Sequence, residues 1–166
     1  MTQDLAAVAR AMVAEGKGIL AADESAPTIE KRLTSIGVAS TDDSRRGWRE
    51  LLFTTQGLGD YISGVILFDE TIRQETSDGR RMVDLLNGAG ILAGIKVDKG
   101  AKALAGHPEE KITEGLDGLR ERLAEYRDLG AAFTKWRAVI TIGEGIPTPA
   151  CIEVNAHALA RFGALS

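Results

Sequence analysis

Residues 1–166 predict an α/β fold in which parallel strands alternate with helical crossovers. Short apolar runs recur at residues 18–22, 61–68, 91–97 and 131–139. Runs with so little alternation are typical of strands buried on both faces, as parallel strands are. Stretches with apolar residues at helical spacing separate them, and that rhythm means parallel β with crossover helices. The first three runs also end in polar residues, at the strand ends where such folds place their sites.

The chain opens with Leu5, Val8 and Met12 on one helical face, so a docked amphipathic helix is expected. Asp4, Arg10 and Glu15 exclude the uncharged core of a signal peptide. Strand one follows at residues 18–22. Pro27 suits the first turn of a helix that continues to about Gly37. Ser40-Thr41-Asp42-Asp43 reads as a capping signal, and Trp48, Leu51 and Leu52 carry the next helix to about Gln56. Residues 61–68 make strand two. Asp78-Gly79 marks a turn before a helix bearing Met82, Leu85, Leu86 and Ala89. Residues 91–97 make strand three.

Residues 99–112 read as a loop centred on Gly106-His107-Pro108, and long loops in compact domains are often functional. Leu116, Leu119, Leu123 and Tyr126 mark a helix closed by Gly130. Residues 131–139 make strand four, and residues 143–149 a loop. A last helix starts near Thr148, with Ile152, Ala156 and Leu159 on one face.

The length suffices for one domain with a real core. No linker or repeat interrupts it, so a single domain over 1–166 is expected. With 44% apolar and 27% charged residues, the composition excludes disordered and fibrous classes. The net charge of −4, with no basic stripe, speaks against a nucleic-acid partner. No apolar run approaches the roughly 18 residues of a membrane span, so no membrane partner is expected. Cys151 is the single cysteine. It excludes an internal disulfide and suits a reducing cytoplasm. With only His107 and His157 beside it, no soft-metal site is expected, and no cofactor motif is present.

The chemistry-bearing residues lie at strand ends. Asp23-Glu24-Ser25 closes strand one and Lys96-Val97-Asp98 closes strand three. Lys135-Trp136-Arg137 sits in strand four. Residues two apart in a strand share a face, so Lys96 pairs with Asp98 and Lys135 with Arg137, while Trp136 turns toward a covering helix. Lysine and arginine together in an apolar strand are costly to bury unless they face an anion or a wet cavity. Three cations converging near Asp23 would bind phosphate and tune a lysine for proton transfer. The bland readings are a helix cap for Asp23, a solvated strand end for Lys96, and solvated helix faces for Lys31-Arg32 and Arg45-Arg46. His107 reads as a turn residue, and His157 and Cys151 as structural. By pattern alone, a four-stranded flavodoxin-like sheet is the plainer architecture. A closed eight-fold barrel takes about 250 residues, and this chain holds about four units.

Six stretches change that reading: GKGILAADES (16–25), KRLTSIG (31–37), SGVILFDET (63–71), GIKVDKG (94–100), GLDGLRERLAEY (115–126) and FTKWRAVITIGEG (133–145). In this order and spacing they resemble class I (Schiff-base) fructose-bisphosphate aldolases, over nearly the whole chain. The resemblance implies a (β/α)8 TIM-barrel family fold. The first four βα units, a half barrel, would be present with an N-terminal helix. It implies the glycolytic and gluconeogenic lyase reaction, reversible cleavage of fructose 1,6-bisphosphate to dihydroxyacetone phosphate and glyceraldehyde 3-phosphate. A lysine imine is the electron sink and no metal is needed.

Carried over by motif, Asp23 resembles the carboxylate that assists proton transfer. Lys96 resembles a cation beside the imine-forming lysine, and Lys135 an active-site lysine that contacts substrate. Arg137 resembles a phosphate-site arginine. Lys31, Arg32 and Arg45 resemble rim cations for substrate phosphates. A phosphorylated sugar is the implied partner, and at full length a homo-oligomer is implied.

The imine lysine, the glutamate acid–base and a second phosphate site belong to later strands of the family. No lysine here matches the imine motif, so these residues encode about half the pocket and are expected to be inactive alone. Two other readings stand beside this one. The first is a non-catalytic half barrel that binds phosphosugar or self-associates through its open edges. The second is an unrelated flavodoxin-like binding domain.

Overall fold

The computed structural model describes residues 4–166. In chain order the elements are α1 (Leu5–Met12), β1 (Gly18–Ala22), α2 (Ala26–Ser35), α3 (Asp42–Phe53), α4 (Leu58–Tyr61), β2 (Ile62–Leu67), α5 (Asp69–Ile72), α6 (Met82–Gly88), β3 (Leu92–Lys96), β4 (Ala101–Ala103), β5 (Lys111–Thr113), α7 (Leu119–Asp128), β6 (Phe133–Lys135) and α8 (Pro149–Leu165). Four strands form one sheet in the order β1-β2-β3-β6. The β1–β2 and β2–β3 pairs are parallel. Each strand lies beside its predecessor in the sheet, which is how a β/α barrel is wound and unlike the reversed order of a doubly wound sheet. The flavodoxin-like alternative ends there.

By its internal packing the chain divides into two compact units. One comprises residues 4–96 and 126–134, the other residues 97–125 and 135–166. In the first unit the faces of the sheet differ sharply. Val65, Leu67, Ala93 and Ile95 are buried, in company with Ile29 and Leu33 of α2, Phe53 of α3 and Met82, Val83 and Leu86 of α6. Each of these side chains larger than alanine contributes about 1.5–3 kcal/mol on burial. On the other face Ile19 is exposed, and Ile66 and Leu92 are half-buried. Phe133 of β6 lies across this second face. A Cβ added to Gly94 would sit 2.2 Å from its ring, and one added to Gly64 3.1 Å. Glycine at these two positions is what lets the ring lie flat on the sheet.

The helix starts follow local chemistry. Asp4 accepts hydrogen bonds from Ala6 N (3.0 Å) and Ala7 N (3.2 Å). Thr41 and Ser44 close a reciprocal capping box on α3, with Ser44 standing where Glu or Gln is usual. Proline opens α2 and α8, which fits its fixed φ and missing N–H.

The second unit is built on a β4–β5 antiparallel hairpin, registered Ala101↔Thr113, Lys102↔Ile112 and Ala103↔Lys111. Helix α8 packs on it. Asn155 donates to Lys111 O (2.9 Å), and Trp136 stacks on Phe162 at 5.2 Å, as its predicted orientation toward a helix requires.

Three expectations are corrected, and two helices are added. Residues 99–112 are a hairpin with a loop, because three-residue strands are too short to show periodicity. Strand four is Phe133–Lys135 and stops well before residue 139. Helix α1 buries none of its residues, and Leu5 is 74% exposed, so its apolar face does not dock fully. The short helices α4 and α5 went unpredicted, since four residues carry no helical period.

Candidate active site

The row of strand ends in the first unit is set by register. Ala22 pairs with Leu67, and Leu67 with Ile95. Asp23, Phe68 and Lys96 each come one residue later. Lys96 continues the face of Leu92 and Gly94, where Phe133 lies. Asp23 continues the face of Ile19 and Ala21, whose partners are Gly64 and Ile66. Burial alternates past the end of β1: Ala22 and Glu24 are buried and Asp23 between them is half-buried. Asp23 and Lys96 therefore project from one side of the sheet with β2 between them. Two strand spacings separate their backbones by about 10 Å.

Behind this row lies a cluster of cations and acids. Arg49 of α3 is 1% exposed. Its Nε donates to Ala22 O (3.2 Å) and its Nη2 to Glu24 O (2.8 Å). The Glu24 carboxylate lies 3.2 Å from Nη2 and also accepts from Arg32 at 2.5 Å. Burial pushes the Arg49 pKa down and Glu24 opposes the shift. Arg45 donates through Nε to both oxygens of Glu70 (3.0 Å each) and also pairs with Asp42. The hydrogen bonds Arg45 donates to the Glu70 carboxylate hold its pKa above the ordinary value. Of the three predicted rim cations, Lys31 and Arg32 are exposed on α2, while Arg45 is half-buried and engaged by acids. Arg49 escaped the sequence reading, and Glu24 was seen at the strand end without a role. The available signal was position: Arg49 precedes the buried Phe53 by four residues, on the same face of α3.

In the second unit, Lys135 closes β6 and its carbonyl accepts from Val97 N (3.1 Å). Arg137 lies past the strand and is exposed, so the expected strand-face pairing of Lys135 with Arg137 does not hold. Side chains substitute there for a ladder. Arg137 N donates to Asp98 Oδ2 (3.2 Å), and Thr113 Oγ1 donates to Arg137 O (2.8 Å). Asp98 also accepts from Gly100 N (3.1 Å). Past the end of β3, Val97 and Asp98 are both buried, so strand alternation does not carry to Asp98. A cavity of about 470 Å³ in this unit, lined in part by Lys99, Asp117, His157 and Arg161, contains none of the predicted site residues.

Glu110, also missed, is 3% exposed and holds the start of α8. Its carboxylate accepts from Thr148 N (2.6 Å) and Thr148 Oγ1 (2.7 Å), with His107 Nδ1 at 3.5 Å. Burial raises its pKa, but the Thr148 bonds, Cys151 and His107 together outweigh burial and leave it below the ordinary 4.5. A depressed carboxylate pKa stabilises the fold above its unfolded-state pKa, and that contribution disappears as pH falls through the folded-state pKa. Glu110→Gln should therefore destabilise the chain at neutral pH. The deficit should shrink as urea titrations move below about pH 4.5. A deficit that stays constant down to about pH 3 would show that the charge of Glu110 does not anchor α8.

Parallel strands whose order in the sheet follows their order in the chain, with polar residues at their carboxyl ends, define a β/α-barrel scaffold. The comparisons with known proteins agree. The family model for class-I fructose-bisphosphate aldolase matches residues 4–166. A probable fructose-bisphosphate aldolase class 1 of Xanthomonas campestris is 62% identical over 98% of this chain and 49% of its own length. The cytoplasmic isozyme of Spinacia oleracea is 53% identical over 96% and 45%. The solved fructose-bisphosphate aldolase of Plasmodium falciparum, in complex with TRAP and a small-molecule inhibitor, superposes with a TM-score of 0.94. It is 48% identical, over 97% of this chain and 47% of its own.

This chain belongs to the class I fructose-bisphosphate aldolase family. It spans about half the length of the curated relatives it matches, and its fold is half of a TIM-type barrel. Among the described residues no helix is long and apolar enough to cross a membrane.

Proposed function

We propose that this chain supplies the N-terminal half of an aldolase active site, as one partial barrel domain over residues 1–166. The reaction of the whole protein is reversible cleavage of fructose 1,6-bisphosphate to dihydroxyacetone phosphate and glyceraldehyde 3-phosphate. Asp23 and Lys96 sharing one face at the strand ends is the observation that carries this reading.

The ketone of the substrate condenses with a lysine contributed from outside these 166 residues. The protonated imine then takes up the electron pair of the breaking carbon–carbon bond. Asp23 accepts and returns protons. Lys96 keeps the imine lysine reactive by like-charge repulsion, and Lys135 contacts the substrate at the reacting carbons. Arg137, Lys31 and Arg32 hold phosphate. Arg45 joins them only if substrate competes with Glu70, whose hydrogen bonds already occupy its guanidinium. The whole protein works in the cytoplasm as a homo-oligomer on a phosphosugar.

Exposed Ile19 and the half-buried Ile66 and Leu92 favour one second reading. In it the chain alone is a non-catalytic module that binds phosphosugar or self-associates through this face.

Borohydride reduction in the presence of dihydroxyacetone phosphate separates the two. The whole protein should be labelled covalently, on a lysine outside residues 1–166. The 166-residue chain alone should stay unlabelled and inactive in a cleavage assay. A label on this chain refutes the division of roles. Thermal protection of the isolated chain by phosphosugar, with an inactive and unlabelled whole protein, establishes the second reading.

A further inference from the structure

Among the described residues Arg49 heads the fully buried side chains by volume, and nothing in the proposed chemistry uses it. A buried guanidinium is an expensive way to fill space. Replacing a whole buried ion pair by apolar residues of similar volume is commonly neutral or stabilising, so core packing does not account for it.

Its hydrogen bonds do. The carbonyls it engages, Ala22 O at 3.2 Å and Glu24 O at 2.8 Å, belong to the two residues that flank Asp23. The strand ends at Ala22, so the residues after it have left the β1 strand. One rigid, planar fork reaching both carbonyls fixes the direction of the chain on each side of Asp23. With Ala22 and Glu24 both buried and Asp23 half-buried, the Asp23 side chain is turned to the opposite face, toward the row it shares with Lys96. The Glu24 carboxylate, 3.2 Å from Nη2, supplies the countercharge that lets the guanidinium stay ionised where it lies. Nη1 has no hydrogen-bond partner. The group is thus incompletely satisfied as a structural ion pair, while both carbonyls around Asp23 are served.

We propose that Arg49 is a positioning residue for Asp23, acting from behind the sheet through the main-chain carbonyls on either side of it. The proposal rests on the reading of Asp23 as the proton-transfer carboxylate. Lysine cannot replace arginine here, because a single ammonium on a flexible stem does not define two acceptors in a plane.

The test is a double-variant cycle in the whole protein. Arg49→Lys should lower kcat by about tenfold or more with KM changed less than about twofold, since misplacing a catalytic group costs the chemical step. In an Asp23→Asn background, Arg49→Lys should have almost no further effect, because its action passes through a group already disabled. Multiplying losses in the double variant would overturn the proposal and assign Arg49 to folding alone.

A second measurement does not depend on activity. In the 166-residue chain, the NMR three-bond couplings of Asp23 should report one χ1 rotamer for wild type and an average for Arg49→Lys and Arg49→Met. An unchanged single rotamer overturns the proposal, as does failure of both variants to fold. If Asp23→Asn alone leaves activity intact, the catalytic reading of Asp23 fails, and the rotamer measurement still decides what Arg49 does.

Discussion

Replacing Arg49 by methionine should lower the free energy of unfolding by about 3–5 kcal/mol, the cost of removing one partner from a buried ion pair. Methionine fills much of the volume, so the loss is electrostatic in origin. The Glu24 carboxylate is 8% exposed and would keep only Arg32, whose side chain is half in solvent at 54% exposure. The carbonyls of Ala22 and Glu24 lose their donor at the same time, and each buried acceptor left without one costs about 1–3 kcal/mol. Against a typical stability of about 5–15 kcal/mol the variant still folds, with a visibly lower urea midpoint. Arg32→Ala makes the contrast. It removes an exposed partner of the same carboxylate and should cost no more than about 1 kcal/mol. An Arg49→Met midpoint within experimental error of wild type would mean that the buried pair contributes nothing to the fold.

Asp23→Asn in the whole protein should reduce kcat for fructose 1,6-bisphosphate cleavage by about 100- to 10,000-fold, the range for removing a proton-transfer group. Asparagine keeps the shape and hydrogen-bonding reach of the side chain but cannot exchange a proton at neutral pH. Substrate affinity should therefore change little, and the loss should fall on kcat. Circular dichroism should stay close to wild type, since asparagine is isosteric with aspartate and the Arg49–Glu24 pair is left intact. A loss of less than about tenfold would remove Asp23 from the chemistry and return it to a local structural role.

Arg45 illustrates how the two kinds of reading diverge. Its motif places it among phosphate-binding cations, yet its guanidinium is held by Glu70 and Asp42. The same sequence signal, a basic pair near the start of a helix, is compatible with both uses. Asp42 lies one turn away on the same helix, but Glu70, twenty-five residues on, cannot be seen in a helical pattern.

The alternation of sheet strands with helical crossovers, the parallel pairing, the capped start of α3 and the strand ends bearing Asp23 and Lys96 were determined by the sequence itself. These follow from local rules: apolar runs that need burial on both faces, capping side chains within reach of their own helix, and turns that need glycine or proline. The motif stretches, six in register, pointed to the family as well. Tertiary structure alone decided the rest. It ended strand four at Lys135, where Asp98 and Thr113 take over the hydrogen-bonding groups of Arg137. It paired residues 101–103 with 111–113 across a loop too long to announce a hairpin. It sent Arg49 into the core to grip the carbonyls beside Asp23, and Glu110 to the start of α8. All four rest on a polar group meeting a main-chain partner from a distant segment. Burial makes such a partner obligatory, and nothing in the local order of residues says which segment will provide it.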